Sequence, residues 1–412
     1  MNKFNMKGLL NKDGTRTVLS SLLSIFIGML AGGVIITIVG LTNDALGIRG
    51  AWDGVRIVLL GLFIKGRDSV GNLVFTFNPQ MMGNMLFNAT PVILTGLSVA
   101  VAYKTGLFNI GAPGQYLAGT AATLFIALSI PVAGSEMTAW YAGKGIEFAV
   151  TYPGWLVWTL AFLGGMAAGA LWGAIPGLLK AWLNINEVLA CILTNWIAAN
   201  LVTWVFDASN LKNIVENTKT GYIYKSSFNG VETSKLGLDK LFPGSQVNGG
   251  IIIAIILAVA VFIILSRTTF GFELKACGSN RFAARYAGIK DKRSIVISMS
   301  FAGALAGAAA SLYWLAGNTE FFWSTYQALP GVGFNGIPVA LLAANNPIGV
   351  VFTGMFMSML DICGLQLKNL TGFNEYITDV IIAVIVYLAA FSLVIKMLIG
   401  KIGAKRGKEA GK

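Results

Sequence analysis

Ten runs of mostly apolar residues, most of them close to 20 residues long, constrain this chain more than any other feature of its sequence. A helix of about 20 residues is long enough to cross the hydrocarbon core of a bilayer. Only 12% of the 412 residues are charged, which is about half the share found in a soluble domain. We therefore predict an all-α, polytopic helix bundle in a membrane, with ten spans at 18–40, 81–102, 113–131, 154–179, 187–206, 250–266, 294–316, 330–345, 347–367 and 376–398.

The distribution of the charged residues indicates how the chain is oriented. Ten spans place residues 1–17, 267–293 and 396–412 on the same side of the membrane, and these three segments carry seventeen basic and four acidic residues. Lys and Arg accumulate in cytoplasmic loops, so we predict that both termini are cytoplasmic and that the nearly neutral loop 207–249 is external. The rest of the chain is almost balanced, so the net charge of +12 reflects topology and gives no support to a nucleic-acid partner.

The chain is organised around one membrane domain. From the N-terminus, the predicted parts are a cytoplasmic basic segment at 1–17, a transmembrane domain at 18–398 and a cytoplasmic basic tail at 399–412. The apolar stretch 52–64 carries two charges, Asp53 and Arg56, and we interpret it as an external or re-entrant helix. Glycine is tolerated well in membrane helices, and the 50 glycines indicate close helix packing together with broken helix starts.

Several kinds of chemistry are excluded by what the sequence lacks. It has no histidine, and its three cysteines lie far apart, so we expect neither a metal site nor His-based catalysis. It has no phosphate-binding loop of the Walker A type and no catalytic pair of carboxylates. We therefore expect a protein that is not an enzyme and binds no cofactor directly, and we interpret the cysteines as reduced structural thiols.

Two acidic residues within or beside the spans are candidates for gating. Glu187 lies at the start of the fifth span, where the helix dipole also favours a carboxylate. Asp361 lies deep in the ninth span, where it should face protein or water. Because ion-coupled carriers place acidic residues at such depths, a self-sufficient, ion-coupled secondary carrier of a small polar solute is an alternative function for this chain.

Two helix starts, at 109–115 and 331–338, are interrupted by glycine and proline and carry amide side chains. Paired breaks in two halves of a chain indicate the substrate path of a transporter. Amides can bond hydroxyls and base edges, and aromatic rings can stack on bases, although any single amide could instead join two packed helices. The residues predicted to line the path are Phe108, Asn109, Gln115, Asn195, Trp196 and Asn335.

The basic loop 267–293 is predicted to contain a short helix at 281–287. Ser279 or Asn280 can cap its N-terminus, and Gly288 can end it. Within the helix, basic, aromatic and small residues each recur one turn apart. Such a helix could lie flat on the membrane surface, but because its ends are so well defined we favour docking into a groove on a cytoplasmic partner.

Three motifs resemble those of ABC-transporter permeases, and most closely the uptake permeases for nucleosides and simple sugars, within the class of the branched-chain amino-acid and ribose permeases. The motifs are Asn109-Ile110-Gly111-Ala112 with Gly114-Gln115, Asn186-Glu187-Val188 with Leu193 and Asn195-Trp196-Ile197-Ala198, and Ala283-Ala284-Arg285-Tyr286-Ala287-Gly288-Ile289. The resemblance covers most of spans two to ten. It departs at one position, because the family usually has Glu where this chain has Pro113.

The resemblance implies a type II-like importer permease of the bacterial plasma (inner) membrane that translocates nucleosides or simple sugars. It implies pairing with a second permease, identical or different, and an extracellular substrate-binding protein or lipoprotein that delivers the substrate. ATP would be used by a separate cytoplasmic ATPase that docks on the loop 267–293. The residues implied in that coupling are Ala283, Ala284, Arg285, Tyr286 and Gly288.

Overall fold

The computed structural model describes residues 13–42, 46–215, 219, 221–323, 328–374 and 376–390. Most of the predicted N-terminal segment, the predicted C-terminal tail and the end of the tenth predicted span lie outside these residues.

Helices account for most of the described chain. In order they are α1 (Asp13–Thr42), α2 (Gly47–Leu60), α3 (Pro79–Lys104), α4 (Ala112–Ser129), α5 (Glu136–Ala142), α6 (Gly154–Leu183), α7 (Glu187–Asp207), α8 (Leu238–Leu241), α9 (Gly250–Arg267), α10 (Thr269–Ser279), α11 (Arg281–Tyr286), α12 (Asp291–Trp314), α13 (Gly331–Leu342), α14 (Pro347–Thr371) and α15 (Ile377–Ala390). Residues Gly61–Phe63 and Ser226–Asn229 form 3-10 turns. Two short strands, β1 (Ile64–Arg67) and β2 (Leu73–Phe75), pair antiparallel.

Each of the ten predicted spans coincides with one of these helices, which confirms the predicted all-α, polytopic fold. The helices that are long and apolar enough to cross a membrane are α1 from Leu22 onward, α3, α6, α7, α9, α12 and α14. The helix of the eighth predicted span is the shortest of the ten in the described chain. This helix, α13, has 12 residues and is about 18 Å long, because Ala344 and Asn345 adopt left-handed backbone angles just beyond its end. A helix of that length cannot cross a hydrocarbon core of about 30 Å by itself.

The described residues belong to two compact units. One consists of residues 1–81, 341–344 and 356–412, and the other of residues 82–340 and 345–355. The second unit contains α4, α6, α7 and α12, together with nearly all of α3 and the first turns of α14.

The centre of the second unit is a contact between the backbones of α6 and α12. Along α6, glycine recurs at every fourth position, at 165, 169, 173 and 177, so that one face carries no side chain beyond hydrogen. A Cβ atom on Gly169 would collide with the carbonyl oxygen of Gly303, and one on Gly173 would collide with that of Met299. In lipid, where helices gain little by hiding apolar surface from water, small residues let helices approach closely and pack.

The third helix of this centre is α4, which packs on both α6 and α12. Gly119 of α4 lies directly against the backbone of Gly307 in α12. The hydroxyl oxygens of Thr123 and Ser311 are 2.8 Å apart across the same contact, and both side chains are buried. The predicted role of glycine in close helix packing is therefore confirmed in these three helices.

The predicted external loop 207–249 is folded over the ends of α4 and α6. The amide of the fully buried Asn229 donates hydrogen bonds to the carbonyl oxygens of Ala127 and Ile130, each at 2.7 Å. The indole of Trp158 in α6 donates to the hydroxyl of Thr233 at 3.0 Å. The loop thus satisfies carbonyl groups that the end of α4 leaves without partners in its own helix.

In the first unit, α1 packs on α15 and then turns back into α2. Gly28 and Gly32 of α1 lie against Ile385 and Ile381 of α15. Gly40, near the end of α1, lies against the backbone of Ala51 in α2. The stretch that we interpreted as an external or re-entrant helix is thus a short helix that returns alongside the end of α1.

The contact between α6 and α12 generates a test of the packing. We expect Gly169→Ala to lower the free energy of unfolding by about 1–3 kcal/mol, the usual cost of overpacking, because its new methyl group meets a backbone carbonyl that cannot move aside. The matched control is Gly164→Ala in the same helix, whose methyl group meets only the terminal carbon of Ile126. Thermal unfolding of both variants in detergent checks this, and an equal effect at the two positions would contradict it.

Candidate functional site: the broken helix starts and the basic loop

The first broken helix start is held by a closed network of amides. The side-chain amide of Asn109 donates to the hydroxyl of Ser98 at 3.0 Å and to the side-chain carbonyl of Gln115 at 2.9 Å. Gln115 donates back to the side-chain carbonyl of Asn109 at 3.1 Å. All three side chains are buried, and the side-chain carbonyl of Asn109 also accepts the backbone N–H of Gly111 at 3.1 Å, so these hydrogen bonds are made within the protein.

Asn195 of α7 joins this start to the neighbouring helix. Its side-chain carbonyl accepts the backbone N–H of Gly114 at 2.9 Å, and its amide donates to the carbonyl oxygen of Ile110 at 3.0 Å. The first N–H groups of a helix have no partner within it. A buried residue of another helix therefore caps α4, and Gly114 has no side chain because Asn195 occupies that space.

The second broken start meets the first in the same unit. Gly333 in the first turn of α13 lies against the backbone of Pro113, and Gly336 one turn later lies against the backbone of Thr95 in α3. The hydroxyl of Thr95 lies 3.0 Å from the carbonyl oxygen of Val332. The two interrupted segments that the sequence singled out are thus in direct contact.

Pro113 has a clear structural role at this contact. It lies in the first turn of α4, a position where a residue without a backbone N–H costs nothing and its fixed φ suits a helix. Its ring and Cα face Gly333, in the first turn of α13. At the position where the resemblance leads us to expect Glu, this chain has a ring that packs one helix start on the other.

The six residues predicted to line the substrate path fall into two groups. Asn109, Gln115 and Asn195 belong to the buried network. The other three, Phe108, Trp196 and Asn335, contribute no side-chain hydrogen bond to it within the described chain, and Trp196 and Asn335 are exposed on α7 and α13. Ser98 was not predicted as a site residue, although Thr95 and Ser98 are two hydroxyl residues one turn apart within the mostly apolar stretch 91–102 of α3.

The basic loop contains the short helix that its sequence predicts. The side-chain carbonyl of Asn280 accepts the backbone N–H groups of Phe282 and Ala283, each at 3.0 Å. At the other end, the N–H of Gly288 donates to the carbonyl of Arg285, and the N–H of Ile289 donates to that of Ala284. Because Gly288 has a φ of +85°, this is the Schellman arrangement that ends many helices. The helix, α11, runs from Arg281 to Tyr286, one residue shorter than predicted.

Some side chains of α11 contact the rest of the chain and others lie on the surface. Arg281 pairs with Asp291 at the start of α12 through contacts of 2.6 Å, and Arg285 approaches the same carboxylate at 3.6 Å. Ala284 is buried, whereas Phe282 is 81% exposed and Tyr286 is 97% exposed. Of the five residues implied in coupling, Ala284 and Arg285 therefore contact the rest of the chain, whereas Tyr286 is exposed. Together with Phe282, which is not one of the five, Tyr286 forms the outward face of α11.

The basic loop and the amide network lie at the same end of the second unit. Gly278, in the last turn of α10, packs backbone against backbone on Gly106, in the turn that leads from α3 to Asn109. Beside it, the hydroxyl oxygens of Thr105 and Ser298 are 2.6 Å apart and buried. A displacement of α10 would thus act on the segment that carries the network.

The candidate gating acids have different surroundings. Glu187 forms an ion pair of 2.9 Å with Lys180, which sequence reasoning missed. Asn186 caps the same helix start, since its side chain accepts the N–H of Val188 at 2.9 Å. Asp361 is half-buried in α14. Both remain candidates, although the pairing of Glu187 already accounts for a carboxylate at that position.

The three cysteines are buried and unpaired, as expected of structural thiols. Burial raises the pKa of the Cys277 thiol in α10, so this thiol is protonated near neutral pH. No group of three or more His, Cys, Asp or Glu side chains that could hold a metal ion occurs in the part of the chain that the structure describes.

Comparison with known proteins identifies the family. Residues 81–390 match the family described as the permease component of branched-chain amino acid transport systems. The chain belongs to this permease family. It is 32% identical to the guanosine ABC transporter permease protein NupP of Bacillus subtilis, over 94% of this chain and 97% of that protein. It is also 35% identical to the nucleoside ABC transporter permease protein NupB of Lactococcus lactis, over 97% of each. It is 28% identical to the glucose ABC transporter permease protein TsgB13 of Haloferax volcanii, over 86% of this chain and 88% of that protein.

The amide network generates a test of whether Asn195 supports the start of α4. We expect Asn195→Ala to lower the unfolding midpoint strongly, because it leaves the N–H of Gly114 and the carbonyl of Ile110 buried without partners, at about 1–3 kcal/mol each. The control is Asn200→Ala in the same helix, which is exposed and bonds only the carbonyl of Trp196. Thermal unfolding measures both. Equal midpoints for the two variants would show that Asn195 does not support the helix start.

Proposed function

We propose that this permease carries nucleosides across a bacterial plasma membrane as part of an ATP-driven importer. The two relatives above 30% identity are named as nucleoside and guanosine permeases, and both align over almost their whole length. The relative named for glucose is less similar, so simple sugars are the second substrate class. We further propose that a second permease, a cytoplasmic ATPase and an external binding protein complete the complex, with both termini of this chain in the cytoplasm.

The observation that carries the ATP-driven proposal is the exposed aromatic pair on α11. A helix of six residues is not stable in water by itself, but α11 is fixed by caps at both ends and by the ion pairs of Asp291. It holds Phe282 and Tyr286 in solvent, with Arg285 beside them. Tyr and Arg are the residue types that dominate the binding energy of protein interfaces. This arrangement suits a short helix that inserts into a groove on the ATPase.

Movement of α11 can reach the substrate path through contacts on the same end of the unit. The chain passes from α11 directly into α12, and α10 rests on the turn at Gly106. Three residues beyond that turn lies Asn109, whose network holds the start of α4, and α4 in turn supports the start of α13. We therefore propose that the ATPase acts on the path by displacing α10 and the start of α12, which shifts the two broken helix starts against each other.

Of the six residues predicted to line the path, we assign substrate contact to the exposed Trp196 and Asn335 and not to the buried network. Trp196 and Asn335 can offer an aromatic face and an amide without breaking another bond, whereas Asn109, Gln115 and Asn195 are buried and already hydrogen-bonded to groups of the protein. A nucleoside offers a base that stacks on aromatic rings and hydroxyls that bond amides. The ion-coupled alternative is less well supported, because Glu187 is paired with Lys180 and the family consists of permease components.

The docking proposal predicts that Tyr286→Ser reduces retention of the ATPase by about tenfold or more. Tyrosine is among the residue types that contribute most to the binding energy of protein interfaces. ATP-dependent uptake of labelled nucleoside should fall in parallel. The control is Phe272→Ser, which removes another exposed aromatic ring from the same loop, on α10. Co-purification of the ATPase with each variant and uptake into cells measure both effects. Undiminished retention with Tyr286→Ser would rule out docking through this face of α11.

The assignment of substrate contact predicts that Asn335→Ala raises the KM for nucleoside uptake about fivefold to tenfold, the value of one lost hydrogen bond to a bound ligand, while the unfolding midpoint stays unchanged. Gln246→Ala, at an exposed amide of the external loop, serves as the control. Excess unlabelled nucleoside should compete with uptake and excess glucose should not. Competition by glucose alone would replace nucleosides by sugars in the proposal without affecting the docking of the ATPase.

A further inference from the structure

The segment 47–77 of the first unit is not explained by transport. It contains α2, the 3-10 turn Gly61–Phe63 and the hairpin of β1 and β2. It lies before residue 81, where the match to the permease family begins. Its exposed side chains are unusual for a surface in water, because most of them are large and apolar: Ile48, Trp52, Leu59, Phe63, Phe75 and Phe77.

The packing of α2 on the last turns of α14, a helix long enough to cross a membrane, indicates that this surface lies at the edge of the membrane. Within the first unit, Gly54 of α2 packs on Ile36 of α1 and on Leu367 of α14, and Gly61 packs on Cys363, one turn further inside α14. The last turn of α14 is polar, with Lys368, Asn369 and Thr371. A helix at the depth of these final turns lies where the headgroups meet the acyl chains, and there an apolar face is buried about 5–10 Å into the bilayer.

Arg56 stands out among the charges of this segment. Its guanidinium lies 4.9 Å from the ring centre of Trp52 and 6.0 Å from that of Phe75. Both distances are compatible with attraction between a cation and the face of an aromatic ring. Within the described residues, Arg56 has no carboxylate or carbonyl partner, although a guanidinium carries five N–H donors.

The other two arginines of the segment already have partners. Arg67 pairs with the buried Asp53 at 2.8 Å and donates to the carbonyl of Leu370 at 2.8 Å. Arg49 donates to the carbonyl of Gly71 and to the side chain of Asn72, each at 3.0 Å. The negative charge of Asp53 is thus paired with Arg67, so Asp53 does not compete for the guanidinium of Arg56.

The remaining carboxylate of the segment, Asp68, is used by its own turn. It accepts the backbone N–H groups of Asn72 at 2.7 Å and Val70 at 3.0 Å. Hydrogen bonding from Asn72 lowers the pKa of Asp68, so it is ionised at neutral pH, but its charge is directed to the hairpin turn. Arg56 is therefore a cation held in place by two rings, at the membrane edge, with unused donors.

We propose that Arg56 binds the phosphate of an anionic phospholipid. The phosphate oxygens accept the guanidinium N–H groups, for which the planar fork of arginine is well suited. Trp52 and Phe75 cover the glycerol region, and Ile48, Leu59 and Phe77 contact the acyl chains. A phospholipid fits this surface because its phosphate can bond the unpaired guanidinium while its acyl chains cover the exposed apolar side chains. Both parts of the lipid lie at the depth inferred for α2. The proposal is independent of the substrate and of the energy source.

The test is a titration of the full chain in detergent with phosphatidylglycerol, followed by native mass spectrometry that counts bound lipids. We expect the tightest binding step to become about tenfold weaker in Arg56→Gln, because it loses charged hydrogen bonds to the phosphate. Lys65→Gln is the control, since it removes an exposed charge from the same segment that makes no cation–ring contact among the described residues. Trp52→Leu should weaken binding by less than Arg56→Gln. Inorganic phosphate at millimolar concentration should not displace the lipid.

Several results would overturn the proposal. Equal affinity of wild type and Arg56→Gln for phosphatidylglycerol would show that Arg56 is not the site. Binding of phosphatidylcholine as tight as that of phosphatidylglycerol would show an apolar surface without selectivity for the anionic lipid. A change of Arg56→Gln from dimer to monomer, with lipid counts unchanged, would assign the surface to a second copy of the chain. Should Arg56→Gln fail to fold, Arg56→Lys decides: it keeps the charge but lacks the planar fork, so phosphatidylglycerol should bind several times more weakly, and unchanged affinity would contradict the proposal.

Discussion

The rest of the second unit depends on one contact, in which α6 and α12 touch through their backbones. A membrane offers little gain from hiding one apolar helix against another, so close approach and the many weak attractions that it allows must hold the helices together. Four glycines on one face of α6 make that approach possible, and α4 then packs into the angle between the two helices. Because α4 is fixed in this way, its first turn is brought to Asn195 of α7 and to Gly333 in the first turn of α13.

The amides at the start of α4 bond backbone N–H groups that would otherwise be buried without partners. A helix that begins inside the protein exposes N–H groups for which no water is available, and each unpaired group is costly in an apolar environment. Asn195 and Asn109 supply oxygens to those groups, and Gln115 and Ser98 complete the pairing. The scaffold role is compatible with the proposed role in the path, because α13 packs on the segment that these residues hold.

Much of this arrangement could be predicted from the sequence, and the reason is the same in each case. The spans follow from apolar length, and the ends of α11 follow from Asn280 and Gly288, so both depend on residues close together in the chain. What could not be predicted depends mostly on how one element is placed against another. The oxygens of Asn109 and Gln115 could have faced a substrate as well as each other, and only the position of α3 beside α4 decides between these. The partner of Glu187, Lys180, lies on the preceding helix. The hairpin of β1 and β2 was missed because strands of four and three residues are too short to show an alternating pattern.

The network around Asn109 has a consequence for the energetics of opening. Its members, Ser98, Asn109, Gln115 and Asn195, carry no formal charge and do not titrate in the physiological range. A displaced charge would gain or lose about 2.3 kcal/mol for each 100 mV of membrane potential that it crosses, but a rearrangement of neutral amides displaces none. The free energy needed to break the hydrogen bonds of this network is therefore the same in an energised and a de-energised membrane. In the proposed mechanism, these four residues take up displacement supplied by the ATPase and add no response of their own to the membrane potential.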